Sequence, residues 1–192
     1  MNFELTDEQS IIVDTTRHFL EKEIYPHEKT VEKTGEVPRE LGAEIAKKCK
    51  EIGFFAANFP EELGGGGMNH LEFTLLEREL GRGSNALTIF FGRPSGILMA
   101  CNDLQKDKYL IPAIKGEKFD ALAMTEPGAG SDVRGMECTG QRKGGDWIVN
   151  GTKHFISHAD IADFVIVFIA TGEEETEKGK KKKISCFLVD RG

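Results

Sequence analysis

Apolar positions along the chain follow two different rhythms. Through about residue 115 they recur three and four apart, the period of a helix with one buried face. Thr6-Asp7-Glu8-Gln9 has the form of a capping box, and Ile12, Thr16, Phe19, Leu20 and Ile24 then align on one face until Pro26, which is expected to stop the helix. A second helix is expected after Pro38, with Leu41, Ile45, Cys49 and Ile52 together and Gly53 as its C-cap. Residues 63–67 form a glycine-rich connector, and Leu71, Leu75, Leu76 and Leu80 mark a third helix that ends near Gly81. Residues 84–102 are more continuously apolar, as in a helix covered on all sides, and a shorter helix is expected over 104–115.

After Gly116 the pattern changes to short runs bounded by glycine. Residues 119–125 predict a strand, and 136–142 and 147–150 flank Lys143-Gly144-Gly145-Asp146, the composition of a tight hairpin. Asn150-Gly151 marks a turn before 152–157. Residues 164–169 are β-branched and aromatic, and 184–189 mirror them. Between these last strands lies a charge run, 173–183, which is expected to be a solvated loop. Helices first and strands second predict the α+β class: an all-helical N-terminal domain over 1–117, then an antiparallel β-barrel-like domain over 118–192 that is incomplete at its C-terminal end.

Composition narrows the functions open to such a chain. With 39% hydrophobic and 30% charged residues it is expected to be a soluble globular protein, not a disordered one. Its longest apolar run, 164–170, is strand-sized, so no membrane span is expected. The acidic start lacks the basic-then-apolar order of a signal peptide, so cytoplasmic residence is expected. A net charge of −7 argues against general nucleic-acid binding. Cys49, Cys101, Cys138 and Cys186 are scattered, without zinc-ligand spacing, and are expected to be small buried hydrophobes.

Candidate chemistry concentrates in residues 124–133. A strand runs into Glu126-Pro127-Gly128-Ala129-Gly130-Ser131-Asp132, where two glycines two apart let backbone N–H groups face one point, the makings of an anion site. Thr125 and Ser131 flank it with hydroxyls, and Pro127 restricts the loop. Neither a dinucleotide fingerprint nor a P-loop is present. His154 and His158, four apart, fall in strand and turn, and are expected to be ordinary surface or hairpin histidines, not metal ligands. Arg93 interrupts an apolar stretch and is expected to reach the surface or pair with a carboxylate; the alternative is contact with a polar acyl group.

Four segments in order resemble the acyl-CoA dehydrogenase family. They are Pro60-Glu61-Glu62-Leu63-Gly64-Gly65-Gly66-Gly67; Gln105-Lys106-Asp107-Lys108-Tyr109-Leu110-Ile111-Pro112 followed by Gly116-Glu117; Ala123-Met124-Thr125-Glu126-Pro127-Gly128-Ala129-Gly130-Ser131-Asp132; and Asn150-Gly151-Thr152-Lys153-His154-Phe155-Ile156-Ser157. The resemblance implies FAD, held by Leu122, Ala123, Met124, Thr125, Gly130 and Ser131 on one side and by Phe155, Ile156 and Ser157 on the other. Thr125 would donate to a pyrimidine-side carbonyl, Ser131 would reach the pyrophosphate or the acyl-CoA substrate, and Ser157 would lie near the hydride-accepting N5. Many relatives carry Trp and Thr where this chain has Phe155 and Ser157, which keep an aromatic face and a hydroxyl. The implied reaction is α,β-dehydrogenation of an acyl-CoA thioester, in fatty acid metabolism, with electrons passing to an electron-transfer flavoprotein and a homotetramer as the assembly. The family's catalytic Glu is expected beyond residue 192, with a further helical bundle, so these 192 residues alone are expected to be inactive. Glu126 is expected to be structural. The competing readings are a flavin oxidase or monooxygenase on the same fold, and a non-catalytic fragment that binds FAD or partner chains.

Overall fold

In the computed structural model, which describes residues 4–177 and 179–192, the chain divides into two units, Met1–Glu117 and Lys118–Gly192. The first is helical: α1 (Asp7–Phe19), α2 (Tyr25–Thr34), α3 (Arg39–Glu51), α4 (His70–Leu80), and the short α5 (Asn85–Thr88), α6 (Asp103–Gln105) and α7 (Ile111–Ile114). The capping box at Thr6 forms as expected, Gln9 N–H donating to the Thr6 hydroxyl and the Gln9 side chain accepting from Thr6 N–H. Asn69 with Glu72, and Asn102 with Gln105, repeat the device at α4 and α6.

Pro26 does not stop the first helix. A π turn, Leu20–Ile24, joins α1 to α2, and Tyr25 N–H bonds the Leu20 carbonyl five residues back. Widening the turn just before proline moves aside the carbonyl its ring would strike and absorbs the missing N–H. The same solution recurs at Lys106–Leu110, ahead of Pro112, where Ile111 N–H reaches the Lys106 carbonyl.

The continuous helix expected over 84–102 is also absent. α5 passes into a 3-10 turn, Ile89–Phe91, and the chain bends at Gly92 (φ +65), where a Cβ would lie 2.2 Å from the Phe55 ring. Pro94 then prevents helical continuation until the 3-10 turn Gly96–Ala100. Burial, not periodicity, made this stretch look apolar: Leu87, Phe91 and Leu98 are at most 1% exposed. Leu87 and Phe91 join Leu20, Ile24, Ile45 and Leu76 in the helical core.

The second unit is one sheet: β1 (Asp120–Ala123), β2 (Thr139–Lys143), β3 (Asp146–Asn150), β4 (Phe164–Thr176) and β5 (Gly179–Asp190). β4 is its spine, with β1 and then β2 along one side, β3 beyond β2, and β5 on the other side. The α+β class stands, but the sheet is mixed. β1 pairs parallel with β4 from Asp120↔Phe164 to Ala123↔Val167, and β2 meets β4 in parallel at Thr139↔Ala170. About forty residues separate β1 from β4, enough for a crossover that returns the chain in the same direction. The hairpin at Gly144-Gly145 forms as expected, Lys143 opposite Asp146 and Gly144 at φ +63.

The charge run is a strand pair instead of a loop. Glu173, Glu174 and Glu175 stand opposite Lys182, Lys181 and Lys180, so charges that crowd one another in sequence alternate in sign across the ladder. Lys178 lies outside the described residues. No helix among the described residues is long and apolar enough to cross a membrane.

Candidate functional site

β1 alternates: Ala121 and Ala123 are buried while Leu122, 41% exposed, faces outward. Beyond Ala123 the chain leaves the sheet and closes a four-residue turn. Glu126 N–H bonds Ala129 O at 2.9 Å and Ala129 N–H returns to Glu126 O at 3.2 Å, with Pro127 and Gly128 at the exposed tip. Gly130 and Ser131 follow, exposed. A Cβ on either Gly128 or Gly130 would meet nothing within 4 Å, so the fold itself does not demand glycine at these two places. Among the described residues, the amides of Gly128, Gly130 and Ser131 and the hydroxyls of Thr125, Ser131 and Ser157 make no hydrogen bond to protein.

Behind this open surface lies a buried ion pair. Glu126 and Lys153 side chains are 3% and 10% exposed, with Lys153 Nζ 2.7 Å from Glu126 Oε1 and 3.0 Å from the Met124 carbonyl. The carboxylate also accepts from the amides of Glu137 and Cys138, the latter at 3.1 Å from each oxygen. Burial alone would raise the Glu126 pKa; the bond from Lys153 and the amides of Glu137 and Cys138 outweigh it and bring the value to about 2. A carboxylate so engaged is a poor proton acceptor near neutrality, which agrees with its expected structural role.

The second predicted segment lies beside the first. Gly151 adopts φ +136, and a Cβ there would sit 2.3 Å from Cys138 Sγ and 2.7 Å from its Cα, so only glycine lets the strands cross this closely. His154 N–H then bonds the Thr125 carbonyl at 2.8 Å. Phe155 is 83% exposed in left-handed backbone (φ +55), stacked on the His154 ring at 3.7 Å, and His158 is left-handed as well (φ +64), edge-on to Phe119. Two of the three non-glycine residues with such backbone among the described residues thus lie in this loop. Each conformation costs about 1–3 kcal/mol and concentrates where a ligand is held.

The structure therefore brings His154 against Thr125, with Lys153 reaching behind them to Met124 and Glu126. Arg93, in the helical unit, pairs with Glu77, the expected carboxylate partner. His154 and His158 are held by aromatic contacts, and no cluster of metal-ligating side chains occurs among the described residues. Cys49 and Cys138 are buried, and burial pushes both thiols up; Cys101 is only partly covered and Cys186 faces outward on β5, against the expectation that all four are buried. An open hollow of about 340 Å³ in the helical unit, between Lys50, Phe55 and Gly64–Gly66, holds none of the predicted site residues. Sequence reasoning assigned no role to Lys153, because its partner is 27 residues away and nothing local distinguishes it from a surface lysine.

Comparison with known proteins bears on the family of the chain. The family profile for the acyl-CoA dehydrogenase N-terminal domain matches residues 6–117, and that for the acyl-CoA dehydrogenase middle domain matches residues 121–192. A 3-(aryl)acrylate reductase of Clostridium sporogenes is 38% identical over 190 residues, covering 96% of this chain and 48% of the relative. A benzylmalonyl-CoA dehydrogenase of Aromatoleum aromaticum is 36% identical over 198 residues, covering 100% and 49%. Among solved structures, the FAD complex of PigA superposes with a TM-score of 0.81 at 29% identity, over 100% of this chain and 50% of that one. The chain spans about half the length of the curated relatives it matches. With both profiles matched in order over nearly all of its length, the chain belongs to the acyl-CoA dehydrogenase family.

Proposed function

We propose that the whole protein is an FAD-dependent acyl-CoA oxidoreductase, and that residues 118–192, as its middle β domain, carry one wall of the flavin site, with 1–117 as the helical domain. The observation that carries this reading is a set of unspent donors: three hydroxyls and three amides without protein partners among the described residues, on two segments tied by the His154–Thr125 bond. Such a donor set suits the polar edge and phosphates of a flavin nucleotide, and the exposed Leu122 and Phe155 suit its apolar ring. Thr125 would hold a ring carbonyl, Gly130 and Ser131 the pyrophosphate or acyl-CoA, and Phe155, Ile156 and Ser157 the ring. Ala123 and Met124 would supply the backbone of that wall. Bound FAD supplies the hydride acceptor; this chain's residues orient it and exclude water from one face. We do not assign Glu126 as the base for the α-proton: its carboxylate is held by Lys153 and two backbone amides, which lower its pKa and make it a weak base. We place that base outside residues 1–192, as the family resemblance implies, and assign electron transfer to an electron-transfer flavoprotein and a homotetrameric assembly on the same ground. The relatives are named for opposite directions, one a reductase and one a dehydrogenase, and either direction fits one flavin wall.

Thr125→Val tests the assignment against Thr74→Val, whose hydroxyl bonds the His70 carbonyl within α4. In the whole protein, leaving one flavin acceptor unpaired should cost about 1–3 kcal/mol, raising the FAD dissociation constant roughly tenfold for Thr125→Val alone. Equal flavin occupancy in the two variants removes Thr125 from the site. Anaerobic bleaching by acyl-CoA thioesters then separates an acyl-CoA enzyme from an oxidase or monooxygenase acting on other substrates.

A further inference from the structure

We propose that Lys153 and Glu126 form a positioning clasp that fixes the two flavin-facing segments relative to each other, a role that rests on the flavin reading above. Three stretches of chain converge on the pair. Lys153 reaches back from the second segment to bond both the Met124 carbonyl and the Glu126 carboxylate in the first. Glu126 in turn gathers the amides of Glu137 and Cys138, where the chain enters β2. The clasp adjoins the ligand-facing groups without being one of them: Thr125 immediately precedes Glu126, and Phe155 follows Lys153 by two residues. The His154 N–H to Thr125 O bond lies between, so side chain and backbone hold the same crossing.

Two features favour positioning over bulk stabilisation. A buried ion pair is a weak source of net stability, because desolvation of both charges offsets their attraction, but it tolerates little displacement. The groups it orders are also the exposed and strained ones: Phe155 is 83% exposed in left-handed backbone, stacked on the His154 ring, and the hydroxyls of Thr125 and Ser157 make no hydrogen bond among the described residues. Binding geometry at such residues must come from the layer behind them.

The test separates position from stability in the whole protein. In Glu126→Gln/Lys153→Met both charges leave together, so denaturant unfolding should recover toward wild type relative to either single variant. Binding should not recover: the FAD dissociation constant should stay at least tenfold raised, with a shifted flavin absorption spectrum and His154 amide exchange at least tenfold faster. Lys153→Arg keeps the charge but not the ammonium's reach to Met124 O; it should fold, exchange the His154 amide several-fold faster and bind FAD several-fold more weakly. Wild-type affinity, spectrum and exchange in either folded variant would overturn the clasp. If wild-type protein takes up no flavin, the functional reading fails, and His154 exchange still decides whether the pair locks the two segments.

Discussion

At the scale of single residues, acid is the condition that most directly tests the charge network. The Glu126 pKa is lowered from 4.5 to about 2, and that of Glu79 is lowered too, first by its bond from Arg17 and then by Arg78 and Arg82, despite burial. A carboxyl depressed in the folded state contributes stability that is fully present above its unfolded value, near 4.5, and is lost as pH falls through the folded one. For Glu126 the gap of roughly 2.5 units corresponds to about 3 kcal/mol. Chemical unfolding followed at successive pH values should therefore show the β unit weakening between about pH 4.5 and 2. Glu126→Gln should remove that part of the slope while being less stable at neutral pH, where Lys153 is left buried without its partner; an unchanged acid slope would deny the ion pair its role. The sequence made Thr125, Ser131 and Phe155 candidates because their types and order carry the family pattern. It could not disclose Lys153 and Glu126 as partners, since pairing across 27 residues is a property of the fold.

At the scale of elements, helix faces and the tight hairpin were legible because each depends on neighbours within a few residues. Thr6 with Gln9, and Gly144-Gly145, need no tertiary context. Pro26 misled because a π turn is written in no residue type: it looks like a stop, and one widened turn before it, like the one before Pro112, lets the helix run on. The charged ribbon misled for the opposite reason. Four lysines and three glutamates repel within each strand, and only the register, Glu174 opposite Lys181, turns them into complementary rows. Lys181→Glu should accordingly place like charges face to face and speed amide exchange in 179–183, roughly two- to fivefold, since cross-strand pairs are worth about 0.2–1 kcal/mol. About 1 M salt, with a Debye length near 3 Å, should shrink the difference; a change that ignores salt would mean the side chains act by packing instead.

At the scale of the molecule, β3 is the exposed margin: Trp147, Ile148 and Val149 are 40–46% exposed, and no strand among those described pairs with its far side. Residues 1–192 produced alone should therefore bind an apolar fluorescent dye and hold FAD far more weakly than the whole protein, with no acyl-CoA turnover; turnover at the whole protein's rate would relocate the base into this chain. The parallel seam between β1 and β4 has a consequence of another kind. Asp120 cannot meet Phe164 until 43 intervening residues have been gathered in, and the entropy of closing so long a loop is spent before any contact rewards it. Hydrogen bonds within each helix and the β4–β5 ribbon, being local, face no such delay. Assembly should thus be staggered in time, with helices and ribbon early and the seam late. The segment carrying Thr125 takes its place only when the seam closes, so the surface proposed to receive flavin is among the last parts of the chain to exist.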